Sequence, residues 1–257
     1  MKKMILFSAL AATLLSGCVF QQPLPAPEGL EIPSYSENQN ILSYQGHTVS
    51  YNTSTLIPDW VAYELTDEET HGEATRFDKN FSMDPSFRKK QAMREDYRGS
   101  SWTRGHMAPA ADFAWDDDAM AETFYFTNIC PQREELNNKD WQYLEKQVRY
   151  WARDHGKVWV VSGPIVGENR YGRIGDRGVI VPDAFFKALM YEKGGKYHAI
   201  AFVMGNDAQR YYLQDCYLTI NELENITGID FFPSLDDSVE EEVEGLARLS
   251  DWGLRKR

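Results

Sequence analysis

The chain predicts an α+β domain, a mixed sheet flanked by helices, and three observations support this. Short apolar runs rich in β-branched and aromatic residues, the marks of strands, recur at residues 60–65, 123–126, 157–164 and 199–204. Between the second and third, the spacing turns helical: Trp141, Leu144, Val148 and Trp151 fall at offsets 0, 3, 7 and 10. The third observation is bulk composition. A chain of 257 residues, 42% hydrophobic and 26% charged, suits one large domain or two small ones. It excludes collagen-like, disordered and multi-span membrane classes, and no internal repeat is evident.

Taken in order, the chain opens on Met1-Lys2-Lys3 and an almost uncharged stretch over residues 4–17. Fourteen residues are too few to span a hydrocarbon core of about 30 Å as a helix. A basic start, a short apolar run and small residues form the layout of a secretory signal. Leu15-Ser16-Gly17-Cys18 resembles the bacterial lipobox, which makes Cys18 the expected lipidation site and mature N-terminus. A plain signal peptide with an incidental cysteine is the alternative. Val19, rather than Asp, follows Cys18 and points to an outer-membrane anchor facing the periplasm. Residues 18–45 carry Pro23, Pro25, Pro27 and Pro33 with little periodicity and read as an extended tether, with the folded domain over residues 46–257. Export permits a Cys130–Cys216 disulfide, and neither cysteine belongs to a zinc-type pair. Residues 220–226 read as a short helix ending at Gly228.

Two clusters carry the chemistry. The first is Arg104-Gly105-His106-Met107-Ala108-Pro109-Ala110-Ala111-Asp112. The second is Thr127-Asn128-Ile129-Cys130-Pro131-Gln132, followed by Leu136-Asn137, Trp141, Leu144-Glu145 and Arg149. No P-loop, nucleophile elbow or paired-histidine zinc motif occurs. As an α-helix, residues 137–145 place Asn137 and Glu145 about 80° apart around the axis and roughly 12 Å apart along it. Both cannot easily ligate one ion directly. A hydrated Mg²⁺, which needs only one or two protein ligands, could reconcile them: Asn137 would touch the metal and Glu145 would hold its waters. Glu145 and Arg149, four apart, share a face and can pair.

These clusters resemble the DNA/RNA non-specific endonucleases of the ββα-metal (His-Me finger) type. Flanking segments are similar too: Pro58-Asp59-Trp60-Val61-Ala62-Tyr63, Arg76, Ser162-Gly163-Pro164, Val181-Pro182 and Thr227-Gly228-Ile229-Asp230-Phe231-Phe232. The resemblance implies a largely antiparallel central sheet with a ββα-metal active-site motif. It also implies Mg²⁺-dependent hydrolysis of DNA and RNA with little sequence specificity, leaving 5′-phosphates, with Mn²⁺ as a substitute metal. His106 would be the general base and Asn137 the single protein ligand of the metal. Glu145 would orient the metal's waters, and Asn128 would support the His side of the site. Arg104 and Arg149 would bind the phosphate, and Arg76 would be a further substrate contact. The chain departs from the family at Thr103, where the family has Asp. That departure and the acidic charge motivate a second reading, a non-catalytic envelope lipoprotein that reuses the fold to bind nucleic acid. A phosphodiesterase for smaller substrates is a third. A homodimer is left open.

Each residue also has a plainer reading. Alone, His106 would be structural or exposed, Asn137 a helix cap, and Glu145–Arg149 a surface pair worth a few tenths of a kcal/mol. Asp116-Asp117-Asp118 reads as an exposed acidic loop before a second metal site. The net charge of −12 argues against a polyanionic partner until its distribution is considered. Residues 222–251 hold −9 of it, whereas residues 85–104, on the approach to His106, carry +4. The charge therefore permits a nucleic-acid substrate and predicts strong sensitivity to salt.

Overall fold

A computed structural model describes residues 29–256. The signal segment, the lipidation site at Cys18 and the first part of the expected tether lie outside the described residues.

Eleven strands are present among the described residues: β1 (Asn40–Ser43), β2 (Thr48–Asn52), β3 (Ile57–Thr66), β4 (Thr103–His106), β5 (Ile129–Gln132), β6 (Lys157–Ile165), β7 (Arg173–Ile174), β8 (Val179–Ile180), β9 (Ala184–Lys193), β10 (Lys196–Gly205) and β11 (Tyr217–Leu218). The α-helices are α1 (Asp117–Glu122), α2 (Gln142–His155), α3 (Ile220–Thr227) and α4 (Asp237–Glu244). Seven strands form the central sheet in the order β1-β2-β3-β6-β9-β10-β11, and every neighbouring pair is antiparallel. The expected mixture of directions reduces to one parallel bridge outside the sheet, Ser82 with Tyr125. No helix among the described residues is long and apolar enough to cross a membrane.

Strand alternation divides the core in two. On β3, Val61, Tyr63 and Leu65 face one side while Trp60 and Ala62 face the other. The first side carries α2 through Leu144, Val148, Trp151 and Ala152, together with the β4–β5 ribbon. The second is covered by α3 and α4 through Ile220, Leu223 and Val243, with Phe231 and Phe232. A sheet buried on both faces needs long apolar strands, and β6, β9 and β10 supply them. Of these, β9 goes unpredicted because a lysine interrupts its apolar run.

Several expectations are corrected. The folded body begins upstream of residue 46: β1 pairs with β2, Ile32 is buried in the second core, and Ser34 N–H donates to Asp230 O at 2.9 Å. Residues 29–45 are therefore part of the fold, not tether. Residues 123–126 are not a strand. Thr123 ends α1, its hydroxyl donating to Met120 O, and the chain turns so that Phe124 and Phe126 both reach the core. Ser162-Gly163-Pro164 does not stop β6, which runs on to Ile165. Gly163 is there because a Cβ would come within 2.7 Å of the Phe186 ring and 2.8 Å of Asp59 O. Cys130 and Cys216 are both free thiols. Asp116 caps α1, its Oδ1 accepting from Asp118 and Ala119 N–H, which explains the acidic triplet without a metal.

The helix expected over residues 136–154 is two elements. Its first turn, Leu136–Trp141, is a π-helix, and α2 continues from Gln142. Leu136 and Trp141, five apart, are both fully buried, and a π turn brings them closer to one face than an α turn would. The wider turn, about 4.4 residues, rotates Asn137 back by roughly 70° and nearly cancels the 80° offset from Glu145.

Candidate active site

The site is built where the ribbon of β4 and β5 meets the π turn and α2. Register pairs Thr103 with Gln132, Arg104 with Pro131, Gly105 with Cys130 and His106 with Ile129. Alternation along β4 puts Arg104 and His106 on one face and Thr103 and Gly105 on the other. Gly105 has no room for a side chain: a Cβ would fall 2.1 Å from Gln132 Oε1. That close approach accounts for the Arg-Gly-His order.

His106 is 8% exposed, and its Nε2 is buried with no protein partner. Its ring lies between Phe81, at 5.2 Å, and Phe124, edge-on at 4.9 Å. The same two rings collect the arginines. The Arg104 guanidinium stands 4.5 Å from the Phe81 centroid and that of Arg76 stands 5.7 Å from the Phe124 centroid. Three of the expected site residues thus converge on one aromatic pair. Burial, reinforced by Arg76 and Arg104, lowers the His106 pKa to about 3 and holds the imidazole neutral. Beside it opens a cleft of about 390 Å³ lined by Arg94, Tyr97, Arg98, Trp102, Thr103 and Arg104. Half of the basic residues of the 85–104 segment face this cleft. Lys89 and Lys90 instead tie to Asn40 Oδ1 and Arg177 O.

Asn128 is fully buried and clamps the chain just beyond His106. Its Oδ1 accepts from Ala108 N–H at 2.9 Å, and its Nδ2 donates to Ala108 O at 2.9 Å and Thr123 O at 2.8 Å. These bonds take both Nδ2 hydrogens and one acceptor position of a fully buried side chain, so Asn128 positions the His106 segment rather than meeting substrate. Asn137, in the π turn, donates through Nδ2 to Thr103 Oγ1 at 3.0 Å, and Thr103 in turn donates to Gln132 O at 2.8 Å. Thr103, the departure from the family pattern, therefore joins the two strands and orients Asn137. An aspartate could accept from Asn137 but could not donate to Gln132 O.

The helix side of the site is charged and buried. Arg149 donates to Asp112 Oδ1, and Tyr63 donates to Asp112 Oδ2 at 2.7 Å. Arg149 is thus held by Asp112, which is 1% exposed, and not by the expected ion pair with Glu145. Glu145 is partly buried, and burial raises its pKa despite the opposing charges of Lys187, Arg149 and Arg76. Asp112, Tyr63, Lys187, Phe81 and Phe124 escape the sequence reading as functional residues. Asp112 lies in the first cluster, but nothing in its neighbours shows that it is buried. Lys187 left the clearest trace, a lone charge inside an apolar run.

A divalent cation fits this donor set. The Asn137 amide is oriented through its nitrogen, which leaves the hard carbonyl oxygen Oδ1 for a cation. Among the described residues no three His, Cys, Asp or Glu side chains converge as a cage. The donors suit a largely hydrated ion.

The antiparallel sheet carries a two-stranded ribbon and a helix on one face, and comparison with known proteins gives the class. The chain belongs to the DNA/RNA non-specific endonuclease family, whose model matches residues 28–238. It is 37% identical over 208 residues to mitochondrial nuclease EXOG of Xenopus laevis, covering 75% of this chain and 58% of that protein. It is 33% identical over 206 residues to human mitochondrial endonuclease G, covering 75% and 69%. The chain thus spans less than two thirds of the EXOG length. Among solved structures, one of the EndoG/EndoGI complex superposes with a TM-score of 0.72 at 27% identity, covering 77% of this chain and 88% of that one.

The depressed His106 pKa fixes a sign for stability. In the unfolded chain the imidazole titrates near 6.5, so only that state takes up a proton between about pH 6.5 and 3. The contribution is fully present above 6.5 and is lost as pH falls toward 3. Between pH 7 and pH 5, wild-type protein should lose about 2 kcal/mol more stability than His106→Leu in urea unfolding. Equal losses would contradict a buried neutral imidazole.

Proposed function

We propose that this protein is a Mg²⁺-dependent endonuclease that hydrolyses phosphodiester bonds of DNA and RNA with little sequence specificity. The observation that carries the reading is a neutral, buried histidine set between two arginines at the edge of a basic cleft. His106, kept free of a proton, takes one from the attacking water. Arg104 and Arg76 hold the phosphate and offset the charge that grows on its oxygens. Arg149 acts from behind, through Asp112. Asn137 would hold the metal and Glu145 its waters; the bound ion supplies positive charge at the leaving oxygen. Cleavage of the P–O3′ bond leaves a 5′-phosphate. Thr103, which motivated the non-catalytic alternative, keeps Asn137 oriented and so supports catalysis. The names of the relatives, nuclease EXOG and endonuclease G, support it too.

Purified residues 19–257 should cut plasmid and RNA with Mg²⁺ and stop in EDTA, and His106→Ala should lower kcat by about 10²- to 10⁴-fold. Undiminished cleavage by the His106→Ala protein would contradict the assignment.

We also infer export and lipid anchoring through Cys18 in a bacterial envelope, on the outer membrane facing the periplasm. Met1-Lys2-Lys3, the apolar stretch and Leu15-Ser16-Gly17-Cys18 support it. Labelled palmitate should enter the wild-type chain and not Cys18→Ala; equal labelling would refute the anchor.

A further inference from the structure

Strand β9 contains Phe185-Phe186-Lys187-Ala188-Leu189, an apolar run broken by one charge. Alternation places Lys187 with Phe185 and Leu189 on the face that carries the ribbon and α2. Its side chain is fully buried. The ammonium lies 3.4 Å from the carbonyl oxygen of Met107, the residue after His106. It also stands 5.1 Å from the ring centroid of Trp141, which closes the π turn bearing Asn137. Lys187 therefore touches, from beneath, both halves of the site.

Its electrostatic partner is Glu145. Among neighbouring charges Lys187 acts most strongly on Glu145, and Glu145 most strongly on Lys187; Asp112 and Arg149 follow. Burial pushes the Lys187 pKa down and the Glu145 pKa up. A buried ammonium with one long hydrogen bond is a poor stabiliser. An apolar side chain of similar length would serve the sheet at least as well. Stability alone does not account for a lysine here.

We propose that Lys187 is a positioning residue for phosphodiester hydrolysis, holding the end of β4 against the π turn and supplying the counter-charge to Glu145. The proposal rests on the nuclease reading above. A carboxylate can accept hydrogen bonds from metal-bound waters through both oxygens, whereas a protonated carboxyl gives up one of those positions. Without Lys187, burial drives Glu145 toward the protonated form.

The test is Lys187→Met, which keeps an unbranched chain of similar length and removes the charge. Its urea midpoint should equal or exceed that of wild type. With Mg²⁺, its kcat on plasmid DNA should fall about 10- to 100-fold while KM changes less than about 3-fold. In the Glu145→Gln background Lys187→Met should slow cleavage less than it does in wild type, since Gln needs no counter-charge and only the contact between β4 and the π turn is lost. A metal-free readout accompanies these rates. With ¹³C-labelled glutamate, the Glu145 carboxyl resonance, assigned by its loss in Glu145→Gln, should move at pH 7 toward the protonated position in Lys187→Met. A Met variant with wild-type kcat, an unmoved Glu145 resonance, or one that fails to fold would each overturn the proposal. Wild-type protein that cuts no nucleic acid would refute the nuclease reading itself, and the carboxyl resonance would then decide the Lys187–Glu145 link on its own.

Discussion

His106 is buried between Phe81 and Phe124 with two guanidinium groups against the same rings, and the rest of the site depends on that desolvation. The proposed hydrolysis needs positive charge at the phosphate and an unprotonated base beside it. Nearby arginines depress the imidazole pKa in the direction burial already drives it, which keeps the base free of a proton while weakening it as a base. The aromatic faces matter for a second reason. They hold Arg76 and Arg104 with no carboxylate partner among the described residues, so the guanidinium edges stay available to a phosphate.

Beneath this layer the fold solves the opposite problem, keeping charges buried without loss of order. Asp112 binds Arg149 and Tyr63 together, and Asn128 makes three hydrogen bonds to the backbone of Ala108 and Thr123. Such groups are strongly destabilising if left unpaired, so each locks one segment of the ribbon or helix in place. The antiparallel sheet is the floor. From β3 comes Tyr63 and from β9 Lys187, both on the face that supports the site. Thr103 shows how a changed residue can preserve a geometry, its hydroxyl linking Asn137 to the partner strand.

Much of this was legible in the amino-acid order, where the signal was local. The apolar periods of β6, β10 and α2 fall where the sequence places them, and α3 ends at Gly228. The Arg-Gly-His order follows from strand alternation and from Gln132 packed on Gly105. What was hidden depends on partners distant in sequence. The strand character of residues 123–126 yields to a turn because Thr123 ends α1, its hydroxyl donating to Met120 O. The π turn, which brings the buried Leu136 and Trp141 toward one face, leaves no mark in the local apolar spacing. Residues 29–45 look like a linker by composition, but Ile32 and β1 join a sheet and core completed by residues far downstream. Asp112 and Lys187 carry no local mark of the charges they meet. Arg149, expected to pair with Glu145, instead meets Asp112, 37 residues away.

The central claim is that the fold holds His106 neutral by desolvation among cations. The direct measurement is an NMR titration of the ¹⁵N-labelled imidazole of His106 in metal-free protein, assigned with His106→Leu. The account predicts neutral-imidazole nitrogen shifts down to pH 5, well below the ordinary midpoint of about 6.5. A midpoint at or above 6.5 would contradict it.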